Sequence, residues 1–185
     1  FGSLEFQLLV SLTPENLPSV TLAGDLDQRI MVGRKHETWE ESLGHLTLPD
    51  GSKPDVTALA PLKIGYRSTH EIMTVAKKVI AEHSVNTVWH STRHGAPVDV
   101  FRFKERGSMV AFLADTLKDL SIREPLASVA VLTRTQESAE KLFDGLQRTD
   151  LSQLRLIRDQ EFTFTPGIEV TDITQTKGLE FDSVI

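Results

Sequence analysis

Cysteine is missing from all 185 residues. Its absence excludes disulfides and thiolate metal sites, and it is compatible with a reducing cytoplasm, where the protein is expected. No apolar run approaches the roughly 18 residues that a membrane span needs, so no membrane partner is expected. No basic stretch leading into an apolar one marks a secretory signal. An excess of positive charge is lacking too. Lys and Arg number 20 against 26 Asp and Glu, a net charge of −6. That balance argues against holding nucleic acid through a bulk positive field. A local strip of cations meeting phosphates is still compatible with it. Finally, the chain has no G-x-x-x-x-G-K-[ST] phosphate loop and no Asp-Glu pair suited to Mg²⁺. Without those parts it is not expected to turn over a nucleoside triphosphate alone.

What is present is ordinary globular material, 39% hydrophobic and 25% charged. The length allows one domain with a real core, or one domain plus a remnant of a neighbour. The sequence opens on Phe1 rather than methionine and stops at Ile185 inside an apolar run. It reads as a piece of a longer protein.

Residues 4–12 repeat apolar positions at helical spacing, and Val20–Ala23 form an apolar run ending at Gly24-Asp25. Residues 31–57 are polar, with a helical turn expected around Trp39–Leu46. From there strands and helices alternate. Strands are expected at Leu59–Tyr66, Val98–Phe103, Ser128–Leu132, Leu154–Ile157, Ile168–Ile173 and Val184–Ile185. Helices are expected from Ser68 to about Glu82, over Ser108–Leu120 and over Gln136–Gln147. That rhythm predicts βαβ units and a largely parallel sheet covered on both faces. In such sheets ligands sit at the carboxyl ends of strands.

Three strand ends carry polar chemistry. In Ala23–Ile30 a strand runs into Gly-Asp, and Gln28 follows; its amide can donate to a phosphate oxygen while accepting from water. Taken alone, it reads more simply as an Asx turn and a surface glutamine. In Leu62–Ile72, Ser68 and Glu71 fit a capping box. Arg67 then lies between a strand end and a helix N-terminus, where anions are favoured. Its guanidinium can give phosphate two parallel hydrogen bonds, and Tyr66 offers a flat face for a base. The plain alternative is a core tyrosine and a solvated arginine. In Val170–Ile185 a strand leads into Thr174, Thr176 and then Lys-Gly-Leu-Glu-Phe-Asp. Gly178 permits a tight turn, Glu180 can accept from sugar hydroxyls, and the two threonines with Lys177 can meet a phosphodiester. It also reads as a surface connection with a weak Lys–Glu pair.

Taken in order, Gly-Asp-x-x-Gln, Tyr-Arg-Ser and Lys-Gly-Leu-Glu-Phe-Asp resemble motifs III, IV and V of UvrD/Rep-like superfamily 1 helicases. Ser128–Leu146 also looks like the strand and helix between motifs IV and V. The resemblance implies a RecA-like α/β fold, a P-loop NTPase-like second motor domain without its own P-loop. Residues 1–30 would be the tail of the first RecA-like domain, with motif III at 23–30. Residues 31–57 would be a connector and 58–185 the second motor domain, ending before the last arginine motif.

In that family two motor domains clamp ATP and Mg²⁺ between them and move along single-stranded DNA. By resemblance Gln28 and Arg67 serve catalysis, Tyr66 stacks on adenine, and Gly178 and Glu180 receive the ribose. Thr174, Thr176 and Lys177 lie on the DNA side. The expected partners are the first RecA-like domain of the same chain and single-stranded DNA, with no cofactor held by this piece alone. The chain departs from the pattern in places. Gly65 stands where asparagine is usual, and Asp172 and Thr174 stand where Thr-x-His is usual. Gly33 replaces a stacking aromatic, with Trp39 expected to pack in the connector. Asp172 beside a DNA phosphate would repel it. The stretch from Arg67 to Lys177 is too short for the large inserted domain of UvrD. With "TWEESL" and "HEIMTVA", this looks closer to the HelD, helicase IV-like branch. The alternative reading is therefore a degenerate motor domain that docks on RNA polymerase.

Overall fold

The computed structural model describes residues 8, 11–12, 21–25, 38–44, 51–53, 60, 62–80 and 90–185. They fall into two compact units, Phe1–Val100 and Phe101–Ile185, each described by itself.

In the first unit the Leu12 N–H donates to the Leu8 carbonyl at 3.1 Å. Helix α1, Trp39–Gly44, supplies the turn expected in the connector. Thr38 and Glu41 cap it reciprocally: each backbone N–H donates to the other's side chain, at 2.8 and 3.2 Å. Residues 21–25 form no strand, unlike the one expected at Val20–Ala23. Strand β1 is Ile64–Gly65, pairing in parallel with β2, His90–Ser91. This is far shorter than the expected Leu59–Tyr66. Leu62 is 90% exposed, so its apolar side chain seals no core here. Helix α2 spans His70–Ile80.

Among the described residues, the buried hydrophobic cluster lies in the second unit. Helix α3, Arg106–Arg123, buries Leu113, Ala114 and Leu117. It runs past the expected Leu120 and stops just ahead of Glu124-Pro125, because a residue before proline is driven out of the helical region. Strand β3, Ser128–Thr133, follows, then helix α4, Gln136–Leu146, capped by Thr135, whose hydroxyl accepts from the Ser138 N–H at 3.2 Å. Strands β4, Leu154–Leu156, β5, Gly167–Asp172, and β6, Ser183–Val184, complete a parallel sheet in the order β4-β5-β3-β6. The α/β parallel architecture is as the alternating pattern predicts.

Register explains the core. Val129 pairs with Ile168 and Val131 with Val170, so all four share one face. Against it pack Leu113, Leu117, Ala139, Leu142 and Leu146. Each fully buried leucine contributes ~1.5–3 kcal/mol relative to exposure. The opposite face carries Arg155, Glu169 and Thr171, aligned by the register Arg155–Glu169. Parallel crossovers are right-handed. Since α4 carries the chain outward past β5, the return from β4 through β5 to β6 belongs on this second face. The stretch 157–166 makes the first return without a helix, where an enclosing helical layer was expected. Its Thr163 hydroxyl donates to the buried Glu169 at 3.0 Å, and Arg155 reaches the same carboxylate at 3.4 Å. Residues Val98–Phe103, expected as a strand, run without a ladder. Phe101 and Phe103 instead turn onto Phe112 of α3, with ring centroids 4.6 and 5.3 Å apart. Period-2 alternation foretells an extended chain, not the partner that would make it a strand.

Candidate functional site

The second of the three motifs is built at the junction of β1 and α2. Tyr66, Arg67 and Ser68 form a bend between them. The Tyr66 ring is 69% exposed, so it is not a core residue. Arg67 is exposed beside it. The helix then starts one residue later than the expected capping box allows. Thr69, not Ser68, is the cap: its hydroxyl accepts from the Ile72 N–H at 3.4 Å and its carbonyl from the Met73 N–H at 3.0 Å.

That one-residue shift frees Glu71 for a different task. Its carboxylate accepts from the Gly95 N–H at 2.9 Å and lies 3.1 Å from His94 Nδ1. Hydrogen bonds from its own N–H, from Gly95 and from His94 pull its pKa from the ordinary 4.5 to about 2. Ser68 is held from the same side, its carbonyl accepting from the Ser91 hydroxyl at 2.6 Å. Arg93 donates from Nη1 to the Arg67 carbonyl at 2.9 Å, and its own carbonyl accepts from the His70 N–H at 2.7 Å. The segment Ser91–Gly95 was not singled out from the sequence. Its partners lie more than twenty positions away in the chain, and no local pattern announces such pairs.

The third motif lies in the other unit, after β5. Asp172 is only 4% exposed. Its carboxylate accepts from the Thr174 N–H at 2.9 Å and from the Thr174 hydroxyl, capping the single 3-10 turn Ile173–Thr176. The side chain is turned inward, where backbone and hydroxyl donors satisfy it. The Thr176 hydroxyl donates to the Ile173 carbonyl at 3.1 Å. Both threonine hydroxyl protons are therefore used within the turn. Lys177, Gly178 and Glu180 are exposed along the loop that follows. Gly178 has φ +85°, with open space where a side chain would begin. The glycine is needed for its left-handed backbone, not for close packing. Asp182 ends the motif by gripping Ser128 at the start of β3.

Of the first motif, Gln28 and Gly33 lie outside the described residues. Gly24 is described, and Trp39 packs over it: a methyl group there would sit 3.4 Å from the ring atom Cη2. The structure thus brings Tyr66 and Arg67 together at one strand end, and Thr174, Thr176, Lys177, Gly178 and Glu180 at another.

The model of the UvrD-like helicase C-terminal domain family matches residues 60–162, more than half of the chain. This chain belongs to that family. The match takes in Tyr66, Arg67, the Ser91–Gly95 segment, helices α2, α3 and α4 and strand β3, while the Lys177–Asp182 loop follows it. No curated protein matches the chain. Among the described residues, no helix is long and apolar enough to cross a membrane.

Proposed function

We propose that this UvrD-like domain supplies half of an interdomain ATP site and part of a single-stranded DNA track in an ATP-dependent helicase or translocase. The observation carrying this reading is the placement of Tyr66 and Arg67, both exposed at a strand end and immediately before a capped helix. An exposed tyrosine ring fits a flat purine, and an exposed guanidinium beside the positive end of a helix fits phosphate oxygens. Family membership makes nucleic acid the class of partner, and the domain holding the phosphate loop would come from the first motor domain of the same protein.

In this reading ATP is the substrate, and Mg²⁺ held by that first domain would offset phosphate charge. Tyr66 stacks against the base, and Gly178 and Glu180 present an acceptor to the ribose hydroxyls. Arg67 donates to the terminal phosphate, offsetting charge that builds as the phosphoryl group transfers. Gln28 links that phosphate to the DNA side. Lys177, beside the turn at Thr174–Thr176, meets the phosphodiester backbone. Asp172, being buried and bonded to Thr174, presents its carboxylate inward rather than toward such a contact; Gly65, Asp172 and Thr174 are the departures behind the polymerase-docking alternative.

The test is Arg67→Ala in the full-length protein. ATP hydrolysis stimulated by single-stranded DNA should fall by about 10²-fold or more, with the fold unchanged. Turnover near that of the unaltered protein would remove the reading. Stimulation by RNA polymerase and not by DNA would replace it with the docking role expected of a HelD-like protein.

A further inference from the structure

We infer that the segment Ser91–Gly95 is a positioning brace for Arg67, with Arg93 as its principal donor. The inference rests on the reading of Arg67 given above and adds to it residues outside the motif.

Strand β1 is two residues long and half exposed at Ile64, too slight to define the direction of the bend that follows. The definition comes from the neighbouring segment instead. The Ser91 hydroxyl donates to the Ser68 carbonyl, Arg93 to the Arg67 carbonyl, and Gly95 to the Glu71 carboxylate. The His70 N–H donates back to the Arg93 carbonyl. Fastening the Arg67 carbonyl fixes the peptide plane after Arg67 and so narrows its ψ. The side chain then leaves the backbone in one direction. An exposed arginine loses rotamer freedom when it is ordered onto a single carbonyl, and a charge-assisted hydrogen bond is strong enough to offset that loss.

Gly95 is part of the same device. A methyl group there would come within 2.8 Å of Thr69 Cγ2, nearer than such atoms approach. The brace therefore lies directly against the residue that caps α2, and any side chain at position 95 would push it away. His94 and Glu71 anchor its far end, with the His94 ring 5.4 Å from that of His70.

The experiment measures ATP hydrolysis by the full-length protein, saturated with single-stranded DNA, for Arg93→Ala, Gly95→Ala, Arg93→Lys, Arg67→Ala and the Arg67→Ala/Arg93→Ala pair. Misplacing a group that acts on the transferring phosphate should lower kcat roughly tenfold or more. KM for ATP should stay within about twofold, and the loss of rate should far exceed what any small fall in melting temperature from a lost hydrogen bond or disturbed cap explains. Arg93→Lys, whose ammonium also donates to a carbonyl, should recover much of the rate. The pair should be no worse than Arg67→Ala alone, since both act through one group.

Full kcat in Arg93→Ala and Gly95→Ala, beside a collapsed Arg67→Ala, would overturn the brace and leave the Arg67 reading intact. Near-normal turnover in Arg67→Ala would overturn both. A loss of rate that tracks a loss of melting temperature and is not rescued by lysine would reduce the segment to scaffolding, which also overturns the inference.

Discussion

Asp182 accepts two hydrogen bonds from Ser128, one from its backbone N–H and one from its hydroxyl, each 2.8 Å long, across 54 positions of chain. In return the Asp182 N–H donates to the Ser128 carbonyl at 3.0 Å. The last residue of the third motif is thus the clasp that docks β6 onto β3. Ser128 draws the Asp182 pKa below the usual carboxylate value. Asp182→Ala should cost about 1–2 kcal/mol, at roughly 1 kcal/mol per lost hydrogen bond. Urea denaturation reads the total. Hydrogen exchange should show the Ile185 amide, bonded to the Ala130 carbonyl, losing protection before those of β5.

The Glu71 carboxylate gives a pH dependence of definite sign. Its folded pKa of about 2 lies below the ordinary 4.5. Its contribution is therefore fully present above the unfolded value and is lost as pH falls through 4.5 toward 2. Carbon-detected NMR of the glutamate carboxyl should show titration well below pH 4. The Gly95 amide should lose exchange protection over the same window. Glu71→Gln should abolish that window. A carboxyl titrating near 4.5 would show that the clamp is not formed.

Gly178 predicts a contrast between two substitutions. With φ +85° and no atom near the position of a Cβ, space is available and only backbone strain opposes a side chain. Gly178→Ala should destabilise by about 1–2 kcal/mol. Gly178→Asn should cost less, because asparagine tolerates the left-handed region. Equal costs would mean that contacts, not strain, decide the position.

Lys177 is exposed on the loop proposed to meet DNA. If it neutralises one phosphate, Lys177→Ala in the full-length protein should weaken single-strand binding about equally for every sequence. It should also lower the slope of log affinity against log salt by about 0.7. Fluorescence anisotropy over a salt series measures both, and an unchanged slope would take Lys177 off the track.

Legibility in the sequence followed burial. Where the chain packs, periodicity was enough: Leu113 and Leu117 on α3, Ala139, Leu142 and Leu146 on α4, and the β-branched residues of β3 and β5 all repeat as their elements require. Where it does not pack, pattern misled. Leu59–Tyr66 and Val98–Phe103 alternate like strands, yet one shrank to two paired residues and the other paired with nothing described. The capping box at Ser68 and Glu71 is a correct motif in the wrong frame. Thr69 caps equally well, and Glu71 was claimed by Gly95 and His94.

Hydrophobic period was thus enough to predict an α/β domain, and the short polar motifs resembled the family whose model matches residues 60–162. They were also enough to place Tyr66 and Arg67 at a strand end. These are local properties, written into neighbouring residues. Only tertiary structure decided that Asp172 turns inward, that Asp182 clasps Ser128 and that Arg93 holds the Arg67 carbonyl. The last two depend on which donor arrives from far along the chain to satisfy an acceptor, and the first on which face of the sheet is buried. A side chain carries its hydrogen-bonding capacity in the sequence, but its partner is chosen by the fold.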